Sequence, residues 1–385
     1  MSDDRFHLVL FPYLYMGRVT EVDFDFASVW NLQTKLREKV PSIDDQKRIL
    51  KITNMYMDPH RWKIRDMGIM EVKGTPPHEW TVYERNLIHE VQSLLFLCRV
   101  ADSNTMLHTA NTGHYMATAE NFDVALYVIV PDSTYITFNT GTFVPSRQGG
   151  LDIAETRIVR PRHIPTPNGF RFDNDLLRSL LQLRQKHPRV YSKIITACDI
   201  FRQGYYNDST FSENARILLQ MAAFEIVLEL PEAEPRRKFK ELIGRITNVD
   251  NEPIVSYLSE RPGDRRVRER GSVKQCWADA FYALRNRIIH GENPRPNEFL
   301  FRRNYHRDIS LKFFVKCIQW RIERSLGKEL FDYEIRWEKW NDRNTATKGT
   351  GFLYELSLRR AWLQEMKKAS KRKTKLRKHA AKSPK

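Results

Sequence analysis

The stretch VKQCWADAFYALRNRIIHG, Val273–Gly291, decides how the second half of the chain folds. At ~100° per residue, Trp277, Phe281, Leu284 and Ile288 fall within about 60° of one another and form one apolar helix face. Asn286 and His290 are an i,i+4 pair roughly 40° apart, and Arg285 lies about 140° from His290 on the wheel. These three polar groups can converge only if His290 ends the helix and Gly291 turns the chain into a left-handed cap. Pro294 and Pro296 then exclude further helix.

Outward from this helix the same 3.6-residue period recurs. Phe172–His187, Val190–Gln203, Ser212–Leu230, Arg236–Ile246 and Ile254–Leu258 read as helices before it, and Ile309–Leu326 after it. No convincing strand interrupts them. The 212–230 segment has the least polar surface, with Ile217, Leu218, Met221, Phe224, Ile226, Val227 and Leu228. Glu225 sits within that apolar run, and a buried ionic contact to Arg285 or another Arg explains its presence better than a direct catalytic role. Arg261–Arg270 (RPGDRRVRER) carries five Arg against two acids and reads as a basic surface loop. Arg295, Arg302, Arg303 and Arg307 follow the helix, and His306 among them reads as a surface residue. Folded together, these arginines would rim the end of the helix and track a phosphate backbone.

The first half has a different texture. His7–Leu14, Trp62–Val72, Phe122–Pro131 and Tyr135–Thr142 are strand-like, with Val22–Phe26 a shorter candidate; Ala27–Lys39 and Trp80–Val100 read as helices. Arg160–Asn168 (RPRHIPTPN) contains three prolines and reads as a linker. The expected fold class is an α+β N-terminal domain (1–165), an all-α helical bundle (170–326), a small extension (327–365) with β candidates at Leu330–Trp340 and Phe352–Leu358, and a basic disordered tail (366–385).

The 385 residues carry a net charge of +17. The last twenty hold ten Lys or Arg and no acid; without them 54 basic face 47 acidic side chains, a net +7. Most of the excess therefore belongs to the tail. No run approaches the ~18–20 apolar residues of a membrane span. The acidic opening MSDDRF lacks the basic start of a signal peptide, so the expected location is the cytoplasm, without membrane contact. Cys98, Cys198, Cys276 and Cys317 are widely separated and read as core residues in a reducing compartment. No His or Cys spacing suggests a metal site, and no cofactor is expected.

The string Leu-Arg285-Asn-Arg-Ile-Ile-His290-Gly, closing a long helix late in an all-helical run, resembles the R-x4-H signature of HEPN domains, most closely the Apea-like HEPN group. The helix Ala222-Ala-Phe-Glu225-Ile-Val-Leu-Glu resembles that group's preceding helix. The likeness covers roughly residues 175–326, and nothing comparable marks residues 1–165. It implies a helical-bundle ribonuclease, a hydrolase cleaving RNA without metal: the substrate's 2′-hydroxyl attacks the adjacent phosphate and leaves a cyclic phosphate and a 5′-hydroxyl. Arg285 and His290 would be catalytic, with Asn286 orienting the imidazole or an oxygen. An imidazole suits proton transfer near neutrality, and a guanidinium offers fixed donors to phosphate. Arg287, Tyr282, Arg265, Arg266 and Arg268 would contact substrate, Tyr282 by stacking a base, and Glu225 would be supporting. One motif supplies one His and one Arg, and the family's answer is a homodimer pairing two motifs across a two-fold axis.

Toxin and antiviral-defence effectors of this kind would use residues 1–165 for sensing, regulation or specificity, through a partner or ligand. Spacing alone admits a plainer alternative. Arg285 and His290 at a helix C-terminus complement the helix dipole whatever their chemistry, and the domain would then be a non-catalytic dimerisation or nucleic-acid-binding module. Tyr282 reads equally as a half-buried packing aromatic.

The tail has cations without interleaved aromatics, so it should add affinity for RNA without specificity. Deleting Lys367–Lys385 is expected to weaken RNA binding at low salt. The logarithmic salt slope should flatten by about 0.7 per lost phosphate contact on single strands. A shift in cleavage sites on deletion would contradict this division of labour.

Overall fold

Strand β1 (Phe6–Phe11) lies in the middle of an antiparallel sheet, and its run Leu8–Phe11 is buried on both faces, as a central strand covered on both sides requires. The sheet order is β2-β3-β5-β1-β6-β7-β8, with β2 Glu21–Asp23, β3 Ala27–Asn31, β5 Gly68–Val72, β6 Ala125–Ile129, β7 Tyr135–Thr140 and β8 Gly150–Asp152. In this computed structural model the described residues are 6–76, 79–101, 119–129, 135–140, 150–152, 156–160, 172–206, 211–246, 254–261, 265–301 and 304–331. The expected small β element beyond residue 331, the basic tail and most of the proline-rich linker lie outside them.

One sheet face carries Leu8, Leu10, Trp30, Ile69, Ala125 and Tyr127. It packs with residues from helices α1 (Leu32–Lys39) and α2 (Ile43–Thr53), including Leu36, Ile49 and Ile52. The opposite face, with Val9, Val29 and Met70, is buried as well, and Trp80 stacks on His7 with ring centroids 5.9 Å apart. Two short parallel strands, β4 (Tyr56–Met57) and β9 (Ile158–Val159), pair beside the sheet.

Two readings of this half are corrected. Ala27–Lys39 is not one helix: Ala27–Asn31 is a strand between β2 and β5, buried at all five positions. Asn31 then caps α1, its side-chain oxygen accepting from the Gln33 N–H at 2.8 Å. The strand expected to start at Trp62 begins at Gly68, after an irregular approach. Helix α2, capped by Ser42, is an element the periodicity did not suggest.

Helix α3 (Val82–Ala101) ties the two halves together. Val91 and Leu94–Cys98 are fully buried, so the helix needs cover on more than one side. It packs against α4 (Asn174–Lys186) and α5 (Pro188–Gln203), and its Glu90 accepts from Arg184 at 2.9 Å and from the Tyr191 hydroxyl at 2.6 Å. No boundary therefore separates compact units at residue 165. Met1–Lys328 form one unit and Glu329–Lys385 another.

Helices α6 (Glu213–Leu228), α7 (Pro235–Ile246), α8 (Val273–Ile289) and α9 (His306–Leu326) complete the helical part. Phe224 of α6 sits edge-on to Phe201, Phe239, Trp277, Phe281 and Phe314, with centroids 5.3–6.4 Å away. A β-hairpin interrupts the helices where none was expected: β10 (Ile254–Arg261) pairs antiparallel with β11 (Arg265–Ser272). Ile254–Leu258 is thus strand rather than helix, and the arginine-rich loop is largely its second strand. Pairing across the hairpin, with Tyr257 and Ser259 buried inward, overrides the helical spacing of so short a run. A minor hairpin of β12 (Leu300–Phe301) and β13 (Asn304–Tyr305) precedes α9. Among the described residues no helix is long and apolar enough to cross a membrane. None of the four cysteines forms a disulfide among the described residues, and three of them are buried.

His306 is not a surface residue. It is 2% exposed, stacks on Phe281 at 5.5 Å, and its Nδ1 has no hydrogen-bond partner among the described residues. Burial lowers its pKa from 6.5 to about 4. Between those values the unfolded chain binds a proton that the folded chain refuses, so stability rises with pH across that window. About 3 kcal/mol should be lost as pH falls from 6.5 to 4. Urea unfolding of wild type and His306→Leu at pH 7 and pH 4.5 tests this: the wild type should lose more stability between the two. Equal losses would refute the assignment.

Candidate active site

Helix α8 begins with a reciprocal cap. Ser272 Oγ accepts from the Gln275 N–H at 3.3 Å, and Gln275 Oε1 accepts from the Ser272 N–H at 3.0 Å. Trp277, Phe281 and Leu284 are buried, as their spacing demands, with Ile288 at the edge. The far end closes as the sequence suggested: His290 is the cap residue and Gly291 is left-handed at φ 81°. Gly291 N–H donates to Ile288 O and Glu292 N–H to Arg287 O, both at 3.0 Å, which satisfies two end carbonyls.

The polar groups of the last turns have unequal surroundings. Arg285 Nη2 lies 3.1 Å from Glu225 Oε1 on α6, and Arg285 Nη1 donates to Asn286 Oδ1 at 3.1 Å. The same Glu225 oxygen accepts from the Tyr282 hydroxyl at 3.2 Å. The ionic partner anticipated for Glu225 is therefore Arg285. Side-chain exposures of 25% for Arg285 and 29% for Glu225 keep the pair within reach of solvent. Arg285 thus meets Glu225 as an ion pair and Asn286 through one donated hydrogen bond. His290 is exposed one turn beyond Asn286.

Tyr282 is 3% exposed, with the Arg285 guanidinium 5.4 Å from its ring centroid and Phe239 at 6.1 Å. Burial, then the charge of Glu225, raises its pKa to about 12. It is a protonated donor to Glu225 and has no open face for a base, which corrects the stacking role. Arg287 is likewise committed elsewhere. Its Nε lies 2.6 Å from Glu292 and its Nη1 and Nη2 at 2.8 and 3.3 Å from Glu298. Those hydrogen bonds raise its pKa and hold that of Glu298 down. Arg287 thus clamps the loop after His290 and is not a free phosphate ligand. The clamp joins positions five and eleven residues apart across a non-helical loop, a separation that carries no periodic signal.

Arg265, Arg266 and Arg268 are strand residues of β11, opposite Arg261, Glu260 and Leu258. Arg268 and Arg270 are exposed. The hairpin joins α8 at its N-terminus, so its base and His290 stand at opposite ends of a 17-residue helix, about 25 Å long. The structure brings Arg285, Asn286 and Glu225 into contact and puts His290 on the next turn. Arg295 is exposed in the loop after His290. Among the described residues no three His, Cys, Asp or Glu gather as a metal set would. Comparison of the chain with protein-family models, with curated proteins and with solved structures returns no match.

Proposed function

We propose that the chain is a HEPN-type endoribonuclease that acts through Arg285, Asn286 and His290. The observation that supports this most is the end of α8. Arg285 is ion-paired with Glu225 and donates to Asn286, and an exposed imidazole follows at the helix cap. His290 would move the proton between the 2′-hydroxyl, the solvent and the leaving 5′-oxygen. Arg285 would stabilise the charge that develops on the phosphorane oxygens. The reaction needs no group beyond RNA: the 2′-oxygen bonds to phosphorus, the P–O5′ bond breaks, and the proton ends on the 5′-hydroxyl. A second reading, a non-catalytic nucleic-acid-binding module, draws on Arg285 being already ion-paired; it expects binding without cleavage.

Purified protein incubated with mixed RNA in EDTA should yield cyclic-phosphate and 5′-hydroxyl ends. His290→Ala should slow cleavage by about 10²–10⁴-fold. Equal rates in wild type and mutant, or abolition by EDTA, would sink the mechanism.

One motif has too few groups to supply acid, base and charge stabilisation together, so the active form is proposed to be a homodimer with two α8 helices facing each other. Sedimentation at micromolar concentration should show two chains. A strict monomer that cleaves at full rate would contradict the pairing.

A further inference from the structure

Between β4 and the strand β5, the chain makes a tight turn at Asp58–Trp62. The Asp58 N–H donates to Trp62 O at 2.8 Å, and Asp58 Oδ1 accepts from the His60 and Trp62 N–H groups, both at 2.8 Å. Arg61 N–H donates to Asp58 O at 2.9 Å while Arg61 takes a left-handed φ of 66°. Below the turn, Ile64 N–H donates to Tyr56 O at 3.0 Å, Lys63 bridges Met57, and Ile64 packs on the sheet core. This well-bonded turn presents an indole that is 76% exposed, the most exposed large hydrophobic side chain among the described residues. The indole thus offers an open aromatic face on a hydrogen-bonded backbone.

The charge around it is one-sided. His60, Arg61, Lys63 and Arg65 are all exposed, and Arg61, Lys63 and Arg65 enter no ion pair among the described residues. Of the nearby acids, Asp58 closes the turn through backbone N–H groups, and Asp66 accepts from the Met16 and Gly17 N–H groups at 3.0 and 2.9 Å and from the Asn31 side-chain amide at 3.1 Å. Strand β9 runs beside β4 with Val159 opposite Met57, and Arg157 is exposed next to it. Cations at 61, 63 and 65 interleaved with an aromatic at 62 match the chemistry of unpaired nucleotides: base faces for stacking, phosphates for pairing.

We propose that the Asp58–Arg65 turn is a contact surface for single-stranded RNA, with Trp62 stacking an unpaired base and Arg61, Lys63 and Arg65 engaging the adjoining phosphates. This rests on the proposed reading of RNA as the ligand and gives the sheet region a part in choosing it. Bases within a duplex are already stacked, so the turn should discriminate in favour of single strands.

The test is fluorescence anisotropy with the full chain and a single-stranded 2′-O-methyl oligonucleotide, whose blocked 2′-oxygen prevents cleavage and separates binding from catalysis. Trp62→Ala should weaken binding about 5- to 150-fold, the loss expected for one stacking aromatic. Trp62→Phe should stay close to wild type. Arg61→Ala with Lys63→Ala should lower the salt slope by about 1.4. An affinity within twofold of wild type for Trp62→Ala, or an equal loss on duplex RNA, would overturn the proposal and favour a protein partner for the turn. Loss of binding without any cleavage by wild type would sustain this surface while removing the ribonuclease reading.

Discussion

The packing of Phe224 against Phe201, Phe239, Trp277, Phe281 and Phe314 is the constraint on which the helical part depends. Phe201 and Phe314 stack at 4.1 Å, and Phe224 stands edge-on to both, so α5, α6 and α9 meet at one point, with α7 and α8 joining through Phe239, Trp277 and Phe281. Aromatic pairs have directional preferences as well as area, and such a cluster fixes the rotation of each helix about its axis. That rotation has a consequence at the surface. Glu225 follows Phe224 and Tyr282 follows Phe281, so burying the two phenylalanines turns Glu225 and Tyr282 toward each other. Arg285, one turn beyond Phe281, then meets the same carboxylate. The candidate site is thus set by the core beneath it.

The Arg285–Glu225 pair is a weak stabiliser by itself, because both groups are partly exposed and such pairs contribute about 0–1 kcal/mol. Its role is geometric. The ion pair with Glu225 and the hydrogen bond to Asn286 restrict the torsions of a long guanidinium at the end of α8. The Arg287–Glu292–Glu298 clamp acts on the other side of His290, where it folds the following loop back onto the helix. Between them, two ion-pair groups order the chain on either side of an imidazole that is itself open to solvent.

Helix α3 explains why the sheet and the helices share one unit. Its apolar surface exceeds what one neighbour can cover, so it is shared between the sheet side, through the Gln92 side chain bonded to Phe122 O at 2.8 Å, and the helices α4 and α5. The exposed Trp62 turn belongs to the same unit. The candidate site on the helices lies in that unit too.

What the sequence determined by itself is local. The length and face of α8, the left-handed stop at Gly291 and the caps on α6 and α8 follow from side-chain spacing and backbone preference within a few residues, and the apolar setting of Glu225 required a cation. What tertiary structure decided is every feature whose partner is distant or non-periodic. Ile254–Leu258 has helical spacing but becomes strand because β11 supplies a ladder across a turn. Ala27–Asn31 is drawn out of the following helix because it fills a place between two strands. Arg287 is held by carboxylates beyond the helix end, and His306 is buried because Phe281 and Trp277 come to rest on it. Short segments have small intrinsic preferences, about 1 kcal/mol or less per residue, and burial or pairing of larger magnitude overrides them.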